Sequence, residues 1–173
     1  MKRIAALLLV FVTLTACSVQ EKMSPWIFVE RMRQTDKNLV IDTENSFFEN
    51  EKMVCYAVYA DKTKLVFEIS TDEHGNSDKI SLACVQTDKA ADFILCAKSI
   101  ASVYSAEDDS DTVVKELFGA KELSDECRYY ETQWRSYAAV LSENGLYFSV
   151  ENKKLVPQTE VEFSLKQNDI VEY

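Results

Sequence analysis

The sequence is poor in residues that loosen or break a chain: its 173 residues include only 3 Gly and 2 Pro. Scarce glycine excludes collagen-like and Gly-rich linker designs. Histidine occurs once, at position 74. No CxxC and no Cys/His pair stands at ligand spacing, so neither a metal site nor a cofactor is expected. Basic side chains are outnumbered, with 19 Lys+Arg against 29 Asp+Glu and a net charge of −10. That balance argues against nucleic acid as a partner, because phosphate binding needs clustered Lys and Arg. The longest aliphatic-rich run, Ile4 to Leu14, covers 11 positions; a bilayer crossing needs about 20. A hydrophobic content of 47% excludes wholesale disorder. The length suits one domain, or two small ones.

The N-terminus reads as an address. Met1-Lys2-Arg3 is a short basic start, the apolar run follows, and small Thr15-Ala16 precede Cys17. This is the pattern of a secretory signal. The tetrapeptide Leu14-Thr15-Ala16-Cys17 resembles a bacterial lipobox: an aliphatic residue, a small residue, Ala or Gly, then Cys. The resemblance to bacterial lipoproteins is confined to residues 1–17. It implies transfer of a diacylglycerol to the Cys17 sulfur and removal of residues 1–16. It also implies a location on the extracytoplasmic face of a bacterial cell membrane. Ser18 stands where the inner-membrane retention signal of Gram-negative lipoproteins has Asp.

Removal of residues 1–16 takes away Lys2 and Arg3 and no acid, so the remaining body is more acidic still. An anionic membrane surface would repel it within about a Debye length. The acyl chains must therefore do the anchoring, at about 0.8 kcal/mol per buried CH₂. Residues 17–24 are expected to form a short tether, at most about 25 Å long from Ser18 to Ser24.

Residues 25–173 are expected to form one α+β domain. Ser24-Pro25 reads as a cap and first position of a helix over 25–34, with Trp26, Val29, Met32 and Arg33 at helical spacing. Asn38 to Thr43 reads as a strand, with Phe47-Phe48 in an irregular acidic stretch. Met53 to Ala60 is apolar throughout, a strand whose covered face is undecided. Leu65, Phe67 and Ile69 alternate, as do Ile80, Leu82 and Cys84, around a turn at 72–77. Thr87-Asp88 should cap a helix over 88–105 with a Phe93, Ala97, Ile100, Tyr104 stripe. The acidic run 107–111 suits the start of a helix ending at Gly119. Asn144-Gly145 predicts a type I′ hairpin with Leu141 opposite Phe148 and Ala139 opposite Val150. Val161, Phe163 and Leu165 read as a last strand. Helices between runs of strands point to a two-layer fold, an antiparallel sheet with helices on one face. A weaker division is into two helix-then-meander units, 25–87 and 88–173.

The candidate sites are few. Cys55, Cys84, Cys96 and Cys127 form an even set in an exported chain, which permits disulfides. A Cys84–Cys96 bond is conceivable if the sheet and helix faces meet; otherwise all four are small apolar side chains. His74 lies in a turn with no nucleophile motif beside it. The 107–111 acids lack the alternation, glycine and closing Glu of a calcium loop. Tyr129, Tyr130 and Trp134, close to Arg128 and Arg135, are the residue types that dominate recognition surfaces. The expected function is therefore non-catalytic. It is a membrane-anchored lipoprotein that binds or assembles with an envelope protein or component, loosely resembling other small bacterial lipoproteins with a helix followed by acidic hairpins. The alternatives are a small-ligand carrier and, further off, an envelope hydrolase using dispersed carboxylates.

Overall fold

The computed structural model describes residues 22–119 and 124–153. Cys17, the expected signal segment and the expected strand at Val161, Phe163 and Leu165 lie outside the described residues.

The first helix, α1, spans Pro25–Thr35. The Ser24 side chain accepts the Ile27 N–H at 3.4 Å, which satisfies one of the orphan donors of the first turn. Phe28 and Met32, four residues apart, set the buried stripe together with Val29. At about 100° per residue Trp26 falls outside that stripe, so the residue expected to share it is half exposed. Met23 is buried, and its carbonyl accepts the Ser77 N–H at 2.7 Å. The folded body thus begins before Pro25, and the expected tether ends at Lys22 rather than Ser24.

Four strands follow: β1 Leu39–Glu49, β2 Lys52–Tyr59, β3 Thr63–Thr71 and β4 Ser77–Cys84. Phe47 and Phe48 belong to β1, contrary to the expectation of irregular chain. β1 is longer than its apolar alternation because a bulge interrupts it: Asp42 pairs with Tyr56, and Phe47 with Val54. Asp42 holds the bulge by accepting the Glu44 and Asn45 N–H groups, both at 3.1 Å. The β1–β2 turn is built on Asn50 (φ 49°) and Glu51 (φ 63°), left-handed at both central positions as tight hairpins prefer. The turn after β3 closes on Asp72, whose carboxylate accepts the His74 N–H at 2.9 Å and the Asn76 N–H at 2.8 Å.

A single 3₁₀ turn at Thr87–Lys89 leads into α2, Ala90–Tyr104. Thr87 and Asp88 therefore lie ahead of the helix and do not cap it. The stripe Phe93, Ala97, Ile100, Tyr104 is buried as expected. Asp109 caps α3, Ser110–Phe118, accepting the Asp111 N–H and the Thr112 hydroxyl. Gly119 ends α3 at φ −60°, without the left-handed turn expected of it.

The chain closes with β5 Ser124–Glu131, β6 Arg135–Ser142 and β7 Gly145–Asn152. All seven strands are antiparallel in one sheet of order β1-β2-β3-β4-β7-β6-β5. The β6–β7 hairpin differs from its expected register: Leu141 faces Leu146 and Ala139 faces Phe148. Gly145 is the first strand residue, not a left-handed turn residue. The slip is two residues, so every side chain keeps its face and burial is unaffected. The two meanders join at β4 and β7 and share one core that includes Phe28, Phe67, Leu82, Ile100 and Phe148. The architecture is two-layered α+β, with helices over one sheet face.

Candidate functional site

Strand parity separates the two faces of the sheet. Met53, Cys55 and Ala57 of β2, Leu65, Phe67 and Ile69 of β3, and Ile80, Leu82 and Cys84 of β4 point toward the helices and are buried. The residues between them point the other way. The register arranges those outward side chains into rows across the sheet. Val40 pairs with Val58, and Val58 with Lys64. The next row runs Asp42, Tyr56, Val66, Ala83, Tyr147, Val140. A third runs Phe47, Val54, Glu68, Ser81, Ser149, Ala138, Tyr129, and a fourth Glu49, Lys52, Ser70, Lys79, Glu151, Ser136, Glu131. The face therefore grades from apolar at one end of the strands to charged at the other.

At the apolar end lies a shallow groove of about 440 Å³, lined by Val40, Tyr56, Val58, Val66, Ala83 and Val85 among others. Val85 is 82% exposed and Val40 60%. Ala83 makes a low floor between Tyr56 and Tyr147, and the Tyr147 hydroxyl is 3.0 Å from the Ser81 hydroxyl, which fixes that ring against β4. At the charged end Lys52 pairs with Glu68 at 2.8 Å and Lys79 with Glu151 at 3.4 Å. The Glu68 carboxylate beside Lys52 raises the lysine above its ordinary pKa. Lys52 and Lys79 are thus neutralised in place, while Lys64 lies beside the groove.

The expected recognition cluster does not come together on one surface. Tyr129 is on the open face and 75% exposed. Tyr130 points inward and stacks at 6.2 Å on Tyr137. Trp134 sits half-buried in the β5–β6 turn, where its carbonyl accepts the Lys153 N–H. Exposed Cys127 lies beside Tyr129 and raises that hydroxyl's pKa.

Cys84 and Cys96 lie on the core faces of β4 and α2, and both are buried free thiols, as is Cys55. The two faces do meet, and of the two alternatives the structure has the thiols free rather than a Cys84–Cys96 bond. Burial first, then the Asp36 carboxylate and the Cys84 thiol, push the Cys96 thiol well above its ordinary range. His74 is exposed, 3.6 Å from Glu73. Among the described residues no group of His, Cys, Asp and Glu is placed to hold a metal ion. No helix among them is long and apolar enough to cross a membrane.

A polar cluster lies inside the fold at the charged end. Arg135 is 3% exposed, donates to the Tyr104 and Trp134 carbonyls, and stacks 4.9 Å over the Tyr104 ring. Tyr104 donates to the Ser77 carbonyl at 2.8 Å, and Tyr137 to the Asp108 carboxylate at 2.6 Å. Asp108, from the acidic run, thereby ties the α2–α3 link to the sheet. Burial raises both tyrosines above their ordinary pKa, and Asp108 adds to the rise at Tyr137. The cluster stitches elements together and presents no nucleophile to solvent.

The sequence signal missed for the open face was in β2. Its run MVCYAVYA is apolar at both parities because one parity feeds the core and the other lines the groove. Comparison with known proteins finds no family model, no protein sequence and no solved structure that matches this chain.

Proposed function

We propose that the protein is a lipid-anchored binding module of the bacterial envelope, held at the membrane through Cys17, whose partner seats on the open face of the sheet. The observation that carries this reading is the unpaired apolar row set, Val40, Tyr56, Val58, Val66 and Val85, on a sheet whose other face is already covered. Contiguous exposed apolar surface rimmed by polar side chains is what protein interfaces require. A rigid sheet presents it without an ordering cost in the backbone. The groove volume also falls within the roughly 300–1,000 Å³ of small-ligand sites, which supports a ligand carrier as a second reading. Its openness favours the protein partner, because a ligand site encloses most of its guest.

The test places a photo-crosslinking amino acid at Tyr56, or at Glu116 on α3, in the full chain made in a bacterial cell. A discrete adduct from position 56 that disappears with Val66→Glu supports the reading. Absence of adducts from the open face, or equal adducts from both positions, refutes it. Cys17→Ser should release the protein from the membrane fraction.

A further inference from the structure

Four large apolar side chains are exposed at the charged end of the sheet, three on its helix side and Phe47 on its open face. Trp26 and Ile27 lie on the first turn of α1, and Phe47 and Phe48 near the end of β1. Trp26 is 50% exposed, Ile27 48%, Phe47 43% and Phe48 51%. The Trp26 and Phe48 rings are 6.5 Å apart. Phe47 and Phe48 are strand neighbours and point to opposite faces, so this tip is apolar on both sides.

The chain enters the body at the same end. Met23 is hydrogen-bonded to Ser77, the first residue of β4, next to the row that holds Glu49, Lys52 and Lys79. Cys17 is five residues before Lys22, a separation that spans at most about 18 Å in any conformation. A lipid on Cys17 therefore keeps this end of the sheet close to the bilayer. The groove lies toward the other end, about 10–17 Å further along β2 from Met53, the partner of Phe48, at the usual strand rise.

We infer that the Trp26, Ile27, Phe47 and Phe48 tip rests in the lipid interface as a second membrane contact beside the acyl anchor. This rests on the proposed lipidation of Cys17. Trp suits the headgroup boundary, where its apolar ring and its N–H are both satisfied, and Phe and Ile add apolar surface that the acyl boundary takes up. The charges around the tip are mixed: Arg33 pairs with Glu30 at 3.7 Å and Lys52 with Glu68, and the acids Glu49 and Glu51 follow Phe48 along the chain. No basic surplus remains there to seek anionic headgroups. The contact is therefore apolar and needs no anionic lipid, so it forms on zwitterionic bilayers. Two contacts fix an orientation where one tether would not, and they point the groove away from the bilayer.

The test uses the full lipidated protein, purified and reconstituted into phosphatidylcholine vesicles with brominated acyl chains. Trp134→Phe leaves Trp26 as the one tryptophan reporter. At least twofold quenching of Trp26 by brominated over ordinary lipid, reduced by half or more in Ile27→Glu or in Phe47→Ser, supports the inference. Flotation of the vesicles reports the anchor separately. Protein that floats through Cys17 while Trp26 stays unquenched overturns the tip contact and leaves the anchor standing. A Cys17→Ser chain that still floats with Trp26 quenched overturns the anchor and supports the tip. Protein that does not float at all overturns both. Concentration-dependent dimers broken by Ile27→Glu, with no quenching in lipid, overturn it in favour of a second copy.

Discussion

The buried tyrosines give this fold an alkaline limit whose size can be worked out. Tyr104 and Tyr137 both sit above their ordinary pKa, mainly through burial. In the unfolded chain each titrates near pH 10. A group that binds its proton more tightly when folded contributes stability that is whole below its unfolded pKa. That stability is lost as pH climbs toward the folded value. At pH 11 an unfolded tyrosine is about ten-elevenths ionised, which favours unfolding by about 1.4 kcal/mol per residue, or about 3 kcal/mol for the two. At about 2–4 °C per kcal/mol for a domain of this size, Tm should drop by roughly 6–12 °C on their account between pH 9 and 11. The buried thiols of Cys55, Cys84 and Cys96 are shifted upward as well and act in the same direction. A control must therefore isolate the phenols. The double variant Tyr104→Phe, Tyr137→Phe should melt lower than wild type at pH 8, because the Ser77 carbonyl and Asp108 lose donors. Its further loss from pH 9 to 11, read by circular dichroism melts at half-unit steps, should be smaller than that of wild type by the stated amount. Equal losses in the two proteins would refute the assignment of the alkaline limit to these side chains.

Two further outcomes follow from burial. In a Cys17→Ser chain kept reduced, Cys127 should react quickly with a thiol reagent under native conditions. Cys55, Cys84 and Cys96 should react only on unfolding, and mass spectrometry counts the adducts. Asp36 is buried beyond the end of α1, where it accepts the Ser99 hydroxyl at 2.7 Å and the Asn38 N–H at 3.1 Å. Asp36→Ala should cost about 1–3 kcal/mol, read as a lower urea midpoint with an unchanged slope.

Where one face of an element is wet and the other dry, the sequence carried the structure. β3 and β4 alternate cleanly and pair as the alternation requires. The α2 stripe is buried as its spacing demands. The two-layer α+β arrangement followed from those elements. β1 was less legible because the Asp42 bulge interrupts its period, so Phe47 and Phe48 read as loop. The β6–β7 hairpin kept its faces under a two-residue slip, so periodicity alone had no power to set its register. Trp26 looked like core because it stands at +3 spacing from Val29, yet Phe28 and Met32 rotate the stripe away from it. The groove was hidden for a related reason: an apolar outer face on β2 erases the alternation that would have revealed which side is open. Tyr129 and Tyr130 were separable as strand neighbours, but only the pairing of β5 with β6 says which of them faces water.

The seam between β4 and β7 has a kinetic consequence. Its central pairs, such as Ile80 with Val150 and Leu82 with Phe148, join positions far apart along the chain, whereas the hairpins β2–β3 and β3–β4 close over a few residues. Contacts of low sequence separation form first, and distant ones wait on the entropy of closing a long loop. The first meander with α1 and the last meander are thus expected to organise separately. Their zipping together is the slow step, and until it is complete each half carries an unsatisfied strand edge that a neighbouring molecule can occupy.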